Sequence, residues 1–450
     1  MKRRDFLKTT GILAGTGLVS NLGVARGAQV KGDDLIKVAL VGCGGRGRGA
    51  VGDRLSANDN IKIVAIADAF ENNAKSAAEA FAAMENDKID LGDNIFWGFD
   101  AYKKAIDCCD QVLIATTPGF RPIHYKYAIE QGKHVFMEKP CCVDARGYRS
   151  LMETNKLADE KGLTVVVGFQ RHYEPQYQQM IEKINEGAIG DVMYTRVYWN
   201  GDGIWERGRQ ENDSEMMYQM RNWYHFIWLC GDGICEQHCH NIDVGNWIHS
   251  KGDLKNSHPV KVNAMGGRQV RSFPRFKNSG HRYDHYVAEF TYADGSQMFS
   301  QCRHQGNTWS NVSETVYGTK GMGGPGWLND REGNSVWRID REANNVPGPY
   351  QYEHHKQAEF IRNGIKNNDG WHAANSTFTS IFARMAAQSG KELNWDDAVA
   401  NGHDEFPYDA VMSWELDPPV MPDTTAPVQP SANDIIYENS VAMPGIWKWD

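Results

Sequence analysis

Ile36-Lys37-Val38-Ala39-Leu40-Val41-Gly42-Cys43-Gly44-Gly45-Arg46-Gly47 carries an apolar run straight into a cluster of glycines. The run to Val41 reads as a buried strand, and the residues after Gly47, to about Ser56, read as a helix. Gly42, Gly44 and Gly47 stand where a strand-to-helix turn needs glycine to receive a pyrophosphate. The first permits the tight turn, the second lets backbone approach the phosphates, and the third lets helix and strand pack closely. The helix N-terminus then faces the negative charge. Alone such a pattern is weak, but the next strand, Ile61–Ala67, ends on Asp68, about 20 residues further on. A carboxylate there accepts hydrogen bonds from ribose hydroxyls and repels a 2′-phosphate, which favours NAD over NADP. Arg46 works against that preference, because a guanidinium beside the fingerprint can also meet phosphate. The expected cofactor loop is therefore Gly42, Cys43, Gly44, Gly45, Arg46 and Gly47, with Asp68 opposite.

Outward from this turn, strand and helix patterns alternate. Asn72 to Ala83 is alanine-rich and helical, and Gln111–Ala115 is an apolar strand closing on Thr116-Thr117-Pro118. A short helix over Tyr125–Gln131 leads to a strand at His134–Met137. Asp144 is placed to cap a helix running to about Lys161, before a last strand at Thr164–Val167. This alternation predicts a parallel, doubly wound sheet of the Rossmann kind over residues 31–170. Beyond about residue 172 the texture changes. Val192–Trp199, Val260–Arg268, Tyr286–Tyr292 and Gln297–His304 alternate apolar and polar residues, and Asp294-Gly295 reads as a hairpin turn. Residues 171–417 are therefore expected to form a second α/β domain, mainly antiparallel in its sheet. Asp330 to Tyr352 is polar and rich in Gly and Pro, and reads as loop. Residues 418–450 read as an extended tail, wrapped on a domain or crossing to a partner subunit.

The 450-residue length agrees with about two domains, and a charged content of 23% is ordinary for a globular chain. The formal charge of −9 and the absence of a basic run in the body of the chain argue against nucleic-acid binding. Residues 1–30 read as a targeting segment: Arg3-Arg4-Asp5-Phe6-Leu7-Lys8 is a twin-arginine pattern, followed by a Gly- and Ser-rich apolar stretch. That stretch is too short and polar to span a bilayer, and no other run is apolar enough. The expected localisation is periplasmic, or otherwise exported. The nine cysteines include two neighbouring pairs, Cys108-Cys109 and Cys141-Cys142, and make a poor disulfide framework. The twin-arginine route carries folded proteins, so free thiols and a preloaded cofactor fit it.

Two further clusters carry chemistry. Glu138-Lys139-Pro140 follows the strand at His134–Met137, and ligands of parallel sheets lie at the carboxyl ends of strands. Lys139 is then either a proton relay near a nicotinamide or a surface lysine beside a proline turn. The second cluster is Gly231-Asp232-Gly233-Ile234-Cys235-Glu236-Gln237-His238-Cys239-His240-Asn241-Ile242-Asp243. On one helix, Glu236, His240 and Asp243 share a face, giving a histidine between two carboxylates. Such a histidine suits removal of a hydroxyl proton near neutral pH. A metal is the rival reading, but the spacing matches no standard zinc pattern, so no metal is assigned. His238, off that face, reads as structural.

Together these residues resemble the Gfo/Idh/MocA oxidoreductases, over essentially the whole length after the targeting segment. The matching pieces are Gly42–Gly47, Ala115-Thr116-Thr117-Pro118 with His124 downstream, Glu138-Lys139-Pro140, Gly168-Phe169-Gln170-Arg171, and the stretch ending at His240 and Asp243. The resemblance implies a Rossmann domain plus an α/β domain with a large open sheet, used for homo-oligomer contacts. It implies NAD held in part by Thr116, Thr117, Pro118, His124, Glu138 and Lys139, and catalytic roles for Lys139 and His240. The family usually has Asp four residues before the histidine; Glu236 stands there in this chain. The expected substrate is a sugar or glycoside secondary hydroxyl, oxidised to a keto-sugar, often at C3, by a cofactor recycled without leaving. Arg171, His172, Tyr173, Arg221, Trp223 and Tyr224 are candidate substrate contacts, since sugar sites join aromatic faces to planar hydrogen-bonding groups. Core packing is the competing reading for Trp223. Two other functions remain open: a glycosidase working by transient oxidation, and a sugar-binding protein without catalysis.

Overall fold

The structure is a computed structural model and describes residues 30, 32–57, 59–269, 280–422 and 444. The expected targeting segment, apart from Val30, and most of the expected C-terminal tail lie outside the described residues.

Six strands build the first sheet: β1 (Ile36–Val41), β2 (Ile61–Asp68), β3 (Ile95–Trp97), β4 (Gln111–Ile114), β5 (His134–Met137) and β6 (Val165–Val167). All pair in parallel, in the order β3-β2-β1-β4-β5-β6. The order reverses direction beside β1, which opens a crevice at the carboxyl ends of β1 and β4. β1, β4, β5 and β6 are buried on both faces, as continuous apolar runs between helices should be. The helix at Ala145–Lys161 starts as read from sequence, because the Asp144 carboxylate accepts from the Gly147 amide at 2.7 Å. Two elements carried no signal, β3 and the helix Ala101–Asp107. The strand is a three-residue, half-exposed edge, and neither element is long enough to show a period. The helix expected from Tyr125 begins at Arg121, since Pro122 in a first turn loses no hydrogen bond.

The second sheet has nine strands: β7 (Val192–Gly201), β8 (Lys261–Gly267), β9 (His285–Thr291), β10 (Gln297–His304), β11 (Asn311–Gly318), β12 (Gly321–Gly324), β13 (Trp327–Asp330), β14 (Ser335–Arg338) and β15 (Leu393–Asn394). Only β7 and β10 pair in parallel, so the sheet is mainly antiparallel. The hairpin at Asp294-Gly295 joins β9 to β10. The loop expected over Asp330–Tyr352 instead holds β14 and the start of the helix Pro349–Asn363. Asp330 accepts from the Asn334 amide at 2.8 Å and closes a hairpin, while β14 is too exposed to alternate in polarity.

The chain then returns to the first domain. Helix Pro349–Asn363 packs on helix Gly45–Ser56, and the almost wholly buried helix Gly370–Ser389 packs on both β8 and helix Ala145–Lys161. Phe406, Tyr408 and Trp414 extend this return, with Trp414 4.7 Å from Phe70 and 4.6 Å from Phe99. The two domains are thereby locked around the crevice. No helix among the described residues is long and apolar enough to cross a membrane.

Candidate active site

The glycine turn has the geometry that its sequence demands. Gly42 has φ +99°, and a Cβ there would lie 2.6 Å from the Ala115 carbonyl carbon. A Cβ on Gly47 would lie 1.9 Å from the Gly42 oxygen, whereas one on Gly44 would meet nothing within 4 Å. The outer glycines thus serve close backbone packing, and the middle one faces open space. No side chain caps the helix Gly45–Ser56, which leaves its first amides available to an anion. Asp68 ends β2 and accepts from the Cys43 amide at 2.8 Å, the Phe70 amide at 2.8 Å and Asn73 Nδ2 at 3.2 Å. Burial raises its pKa, and these hydrogen bonds oppose that rise. Burial, aided by Asp68, also pushes the Cys43 thiol far up, and its sulfur donates to the Ala67 carbonyl at 3.4 Å.

Gly42, Gly44, Asp68, Thr116, Thr117 and His124 line one recess at this end of the sheet. His124 pairs with Thr116 Oγ1 at 3.1 Å and packs tilted against the Tyr102 ring, with centroids 4.2 Å apart. Burial, helped by Arg121, takes its pKa down to about 3, so the ring is neutral. Pro118 opens the turn Pro118–Phe120 and is buried without lining the recess. Arg46 is held by carboxylates beside the glycine turn. Its guanidinium pairs with Glu138, with Asp53 at 2.9 Å and with Glu353 at 3.6 Å, and it does not line the recess that contains Asp68.

A second recess of about 360 Å³ adjoins the first and shares Gly44, Thr116, Thr117 and Trp223 with it. Gly45, Arg46, Gly47, Arg121, Glu138, Lys139, Glu236 and His240 line it. Lys139 Nζ donates to the Glu236 carbonyl oxygen and lies 3.8 Å from Glu236 Oε1. The expected single helix face is not formed. Glu236 ends a one-turn helix, Gly233–Glu236, and His240 stands in the next, Cys239–His249. Gln237, at φ −114°, breaks the register between them. Asp243 consequently does not hydrogen-bond His240. It accepts from His172 at 2.7 Å, from Ser376 at 2.8 Å and from His372 at 3.3 Å.

His240 instead sits between rings, 5.8 Å from Phe169 and 6.2 Å from Trp199. Its Nδ1 and Glu236 Oε2 are both buried with no partner. Burial, then the charges of Lys139 and Arg171, carry the His240 pKa well below its ordinary value. Burial raises the Glu236 carboxyl, and Lys139 and Arg121 oppose that shift. The imidazole of His240, the carboxyl of Glu236 and the amine of Lys139 thus share one recess beside the glycine turn.

Of the six candidate substrate contacts, the structure brings only Trp223 to these recesses. Arg171 is buried against Glu314 at 2.5 Å, and Tyr173 donates to Asp369 at 2.6 Å. His172 stacks on Trp247 at 4.0 Å while bound to Asp243, Arg221 pairs with Asp213, and Tyr224 packs against Arg282. Buried polar groups need partners, and Arg171, His172 and Tyr173 find theirs inside the protein rather than in the cleft. Sequence reasoning missed Arg121 and Tyr350. The first was visible only as an arginine at a helix start, and the second comes from a helix distant in sequence.

His172, Asp243 and His372, all metal-ligand types, meet with their ligand atoms within 4.8 Å of one another. Their hydrogen bonds make an ionic clamp between the helices Cys239–His249 and Gly370–Ser389. Burial opposes charge on His372, but hydrogen bonds to Asp243 and Asp369 carry its pKa up to about 9, from an ordinary 6.5. A raised histidine stabilises fully below its unfolded pKa, and that contribution disappears as pH rises through about 9. The Asp243 pKa is depressed, burial being outweighed by His172 and His372, so its contribution disappears only in acid. Melting temperature should therefore fall between pH 7 and pH ~9.5. His372→Gln should lower it at neutral pH and flatten that alkaline decline, which thermal melts across pH will show.

Comparison with known proteins agrees with this geometry. Residues 36–169 match the model of the oxidoreductase family (Gfo/Idh/MocA), NAD-binding Rossmann fold. The chain is 28% identical over 157 residues to inositol 2-dehydrogenase of Rhizobium meliloti, covering 35% of this chain and 43% of that protein. It is 25% identical over 216 residues to an inositol 2-dehydrogenase/D-chiro-inositol 3-dehydrogenase of Lactiplantibacillus plantarum, covering 47% and 52%. The matched region thus spans about half the length of these curated relatives. The fold resembles scyllo-inositol dehydrogenase of Lactobacillus casei with bound NAD(H) and scyllo-inositol (TM-score 0.58, 19% identity, 82% of this chain and 100% of that one). It also resembles levoglucosan dehydrogenase in complex with NADH (TM-score 0.61, 15% identity, 80% and 99%). Residues 36–169 are therefore an NAD-binding Rossmann domain, carried in a chain that shares the two-domain fold of these dehydrogenase structures.

Proposed function

We propose that the whole chain is a Gfo/Idh/MocA-type, NAD-dependent oxidoreductase acting on a secondary hydroxyl of a sugar or glycoside and forming a keto-sugar. One observation carries the reading. Thr117 Oγ1, Arg121 Nε, Glu236 Oε2 and His240 Nδ1 are buried polar atoms without partners, and all four residues line the recess beside the glycine turn. Native proteins rarely leave such atoms unpaired, so a polar ligand is what completes them. The cofactor fits the chain: Gly42 and Gly47 admit no Cβ, Gly44 faces open space, and the first amides of helix Gly45–Ser56 are uncapped. Asp68 would hold the ribose hydroxyls, Thr116 and Thr117 would line its path, and the nicotinamide supplies hydride acceptance when bound. Neutral His240 takes the hydroxyl proton, and Lys139, tethered to Glu236, orients the hydroxyl and stabilises its oxygen as the carbonyl forms.

Mixing the protein, purified without added cofactor, with a simple glucoside should raise absorbance at the reduced-nicotinamide band to about one cofactor per site. No rise with any of several sugars, glycosides and polyols would contradict the reading. Glu236, a second acid–base group beside His240, favours one variation: transient oxidation followed by elimination of the aglycone, for which free sugar would appear without lasting absorbance. Asp68→Asn should weaken NAD about tenfold or more and narrow its advantage over NADP, as titration of each cofactor will show.

The residues before the described region fit export by the twin-arginine route, with NAD loaded before export and recycled in place. The outer face of the second sheet carries Met265, Val287 and Phe299 exposed, which supports pairing with another copy of the chain through that face.

A further inference from the structure

We propose that the substrate of this site carries a carboxylate and that Arg121 receives it. The inference rests on the sugar-oxidoreductase reading above and names the class of sugar: a uronate or a glycoside of one.

Arg121 stands at the start of the helix Arg121–Glu130 and is only 5% exposed. Its Nη1 donates to the Pro140 carbonyl at 2.5 Å, in the loop that carries Lys139. Its Nε is buried and finds no acceptor. Glu236 and Glu138 reach it only through space, and no carboxylate among the described residues forms an ion pair with it. Three other buried arginines have a carboxylate partner. Arg54 pairs with Asp59 at 2.6 Å, Arg171 with Glu314 at 2.5 Å and Arg384 with Glu405 at 3.2 Å, while Arg282 rests against the Tyr224 ring.

The carboxylates of the recess are directed at its other cations. Glu138 is committed to Arg46, and Glu236 lies against Lys139. Arg121 is the cation of the recess that no carboxylate among the described residues contacts, and a buried cation is tolerated only when something pairs with it. Burial already lowers its pKa, which records the cost of holding the charge there. A guanidinium presents a planar fork, and a carboxylate is the anion that matches it in two parallel hydrogen bonds. The same recess holds Lys139 and His240, so an anion on Arg121 would share it with the reacting hydroxyl. The other source of an anion is the pyrophosphate of the cofactor, because Gly44 and Gly47 line this recess too. The shared chemistry is anion capture, and the experiment separates the two sources.

Methyl β-D-glucuronide and methyl β-D-glucoside differ at C6 by carboxylate against hydroxymethyl. Titrated into the holoprotein and followed by tryptophan fluorescence, the glucuronide should bind about 30-fold or more tightly than the glucoside. Arg121→Met should bring the two within about threefold, and Arg121→Lys, which keeps charge without the fork, should fall between. NAD content after purification, measured on each variant, should stay near one per chain. Equal binding of both sugars by the parent protein overturns the proposal. Loss of NAD in Arg121→Met, with the glucuronide preference kept in Arg121→Lys, assigns the guanidinium to the cofactor and overturns it too. Reduction of bound NAD by the glucoside but not by the glucuronide defeats this inference alone. Reduction by neither, nor by any other sugar, defeats the oxidoreductase reading with it.

Discussion

Lys139→Met should lower turnover by about a thousandfold while the protein still purifies with NAD. Methionine keeps the length and apolar body of lysine but has no ammonium. The Lys139 ammonium donates to the Glu236 carbonyl and lies 3.8 Å from Glu236 Oε1, so it joins the strand-end loop to the helix break before His240. Removing it takes away the cation that stabilises the reacting oxygen and one of the charges that hold His240 neutral. The glycine turn and Asp68 are untouched, so the cofactor should remain. Comparing kcat with NAD content in the same preparation checks both halves. A variant with near-normal kcat would remove Lys139 from the mechanism.

Gly47→Ala should have the opposite signature, losing the cofactor first. The added Cβ would lie 1.9 Å from the Gly42 oxygen and 3.2 Å from Leu40 Cδ1. The nearer atom is backbone in the turn itself, so relief must come from separating helix from strand. Overpacking of this kind costs about 1–3 kcal/mol, and here the displaced atoms are also those that would meet the pyrophosphate. The protein should purify without NAD and melt several degrees lower. Gly44→Ala, whose Cβ meets nothing within 4 Å, should leave the melting temperature almost unchanged and weaken NAD alone.

Which parts of this were legible in the sequence follows from their physics. The first sheet was readable because β1, β4 and β5 are continuous apolar runs closed by turn residues, and because Asp144 is a helix cap. β3 and β14 were not, being short, exposed edges with no period. Gly42, Gly47, Asp68, Lys139 and His240 could be placed because each stands at the end of an element whose direction is fixed. The grouping of Asp243 with His240 failed because the helix breaks at Gln237, and a break leaves no periodic trace. Arg171, His172 and Tyr173 looked like cleft residues because they follow the last strand of the Rossmann domain. Their partners, Glu314, Asp243 and Asp369, come from far along the chain, and only the fold shows that these pairs close inside.

The central claim is hydride transfer from a sugar carbon to a nicotinamide held by this chain. The most direct test uses a glycoside deuterated at its ring carbons, mixed with the protein as purified, followed by mass spectrometry of the released cofactor. Deuterium on the cofactor from the parent protein, and almost none from Lys139→Met, is the predicted result. Cofactor that stays unlabelled with every ring-deuterated glycoside and uronate tested would contradict it.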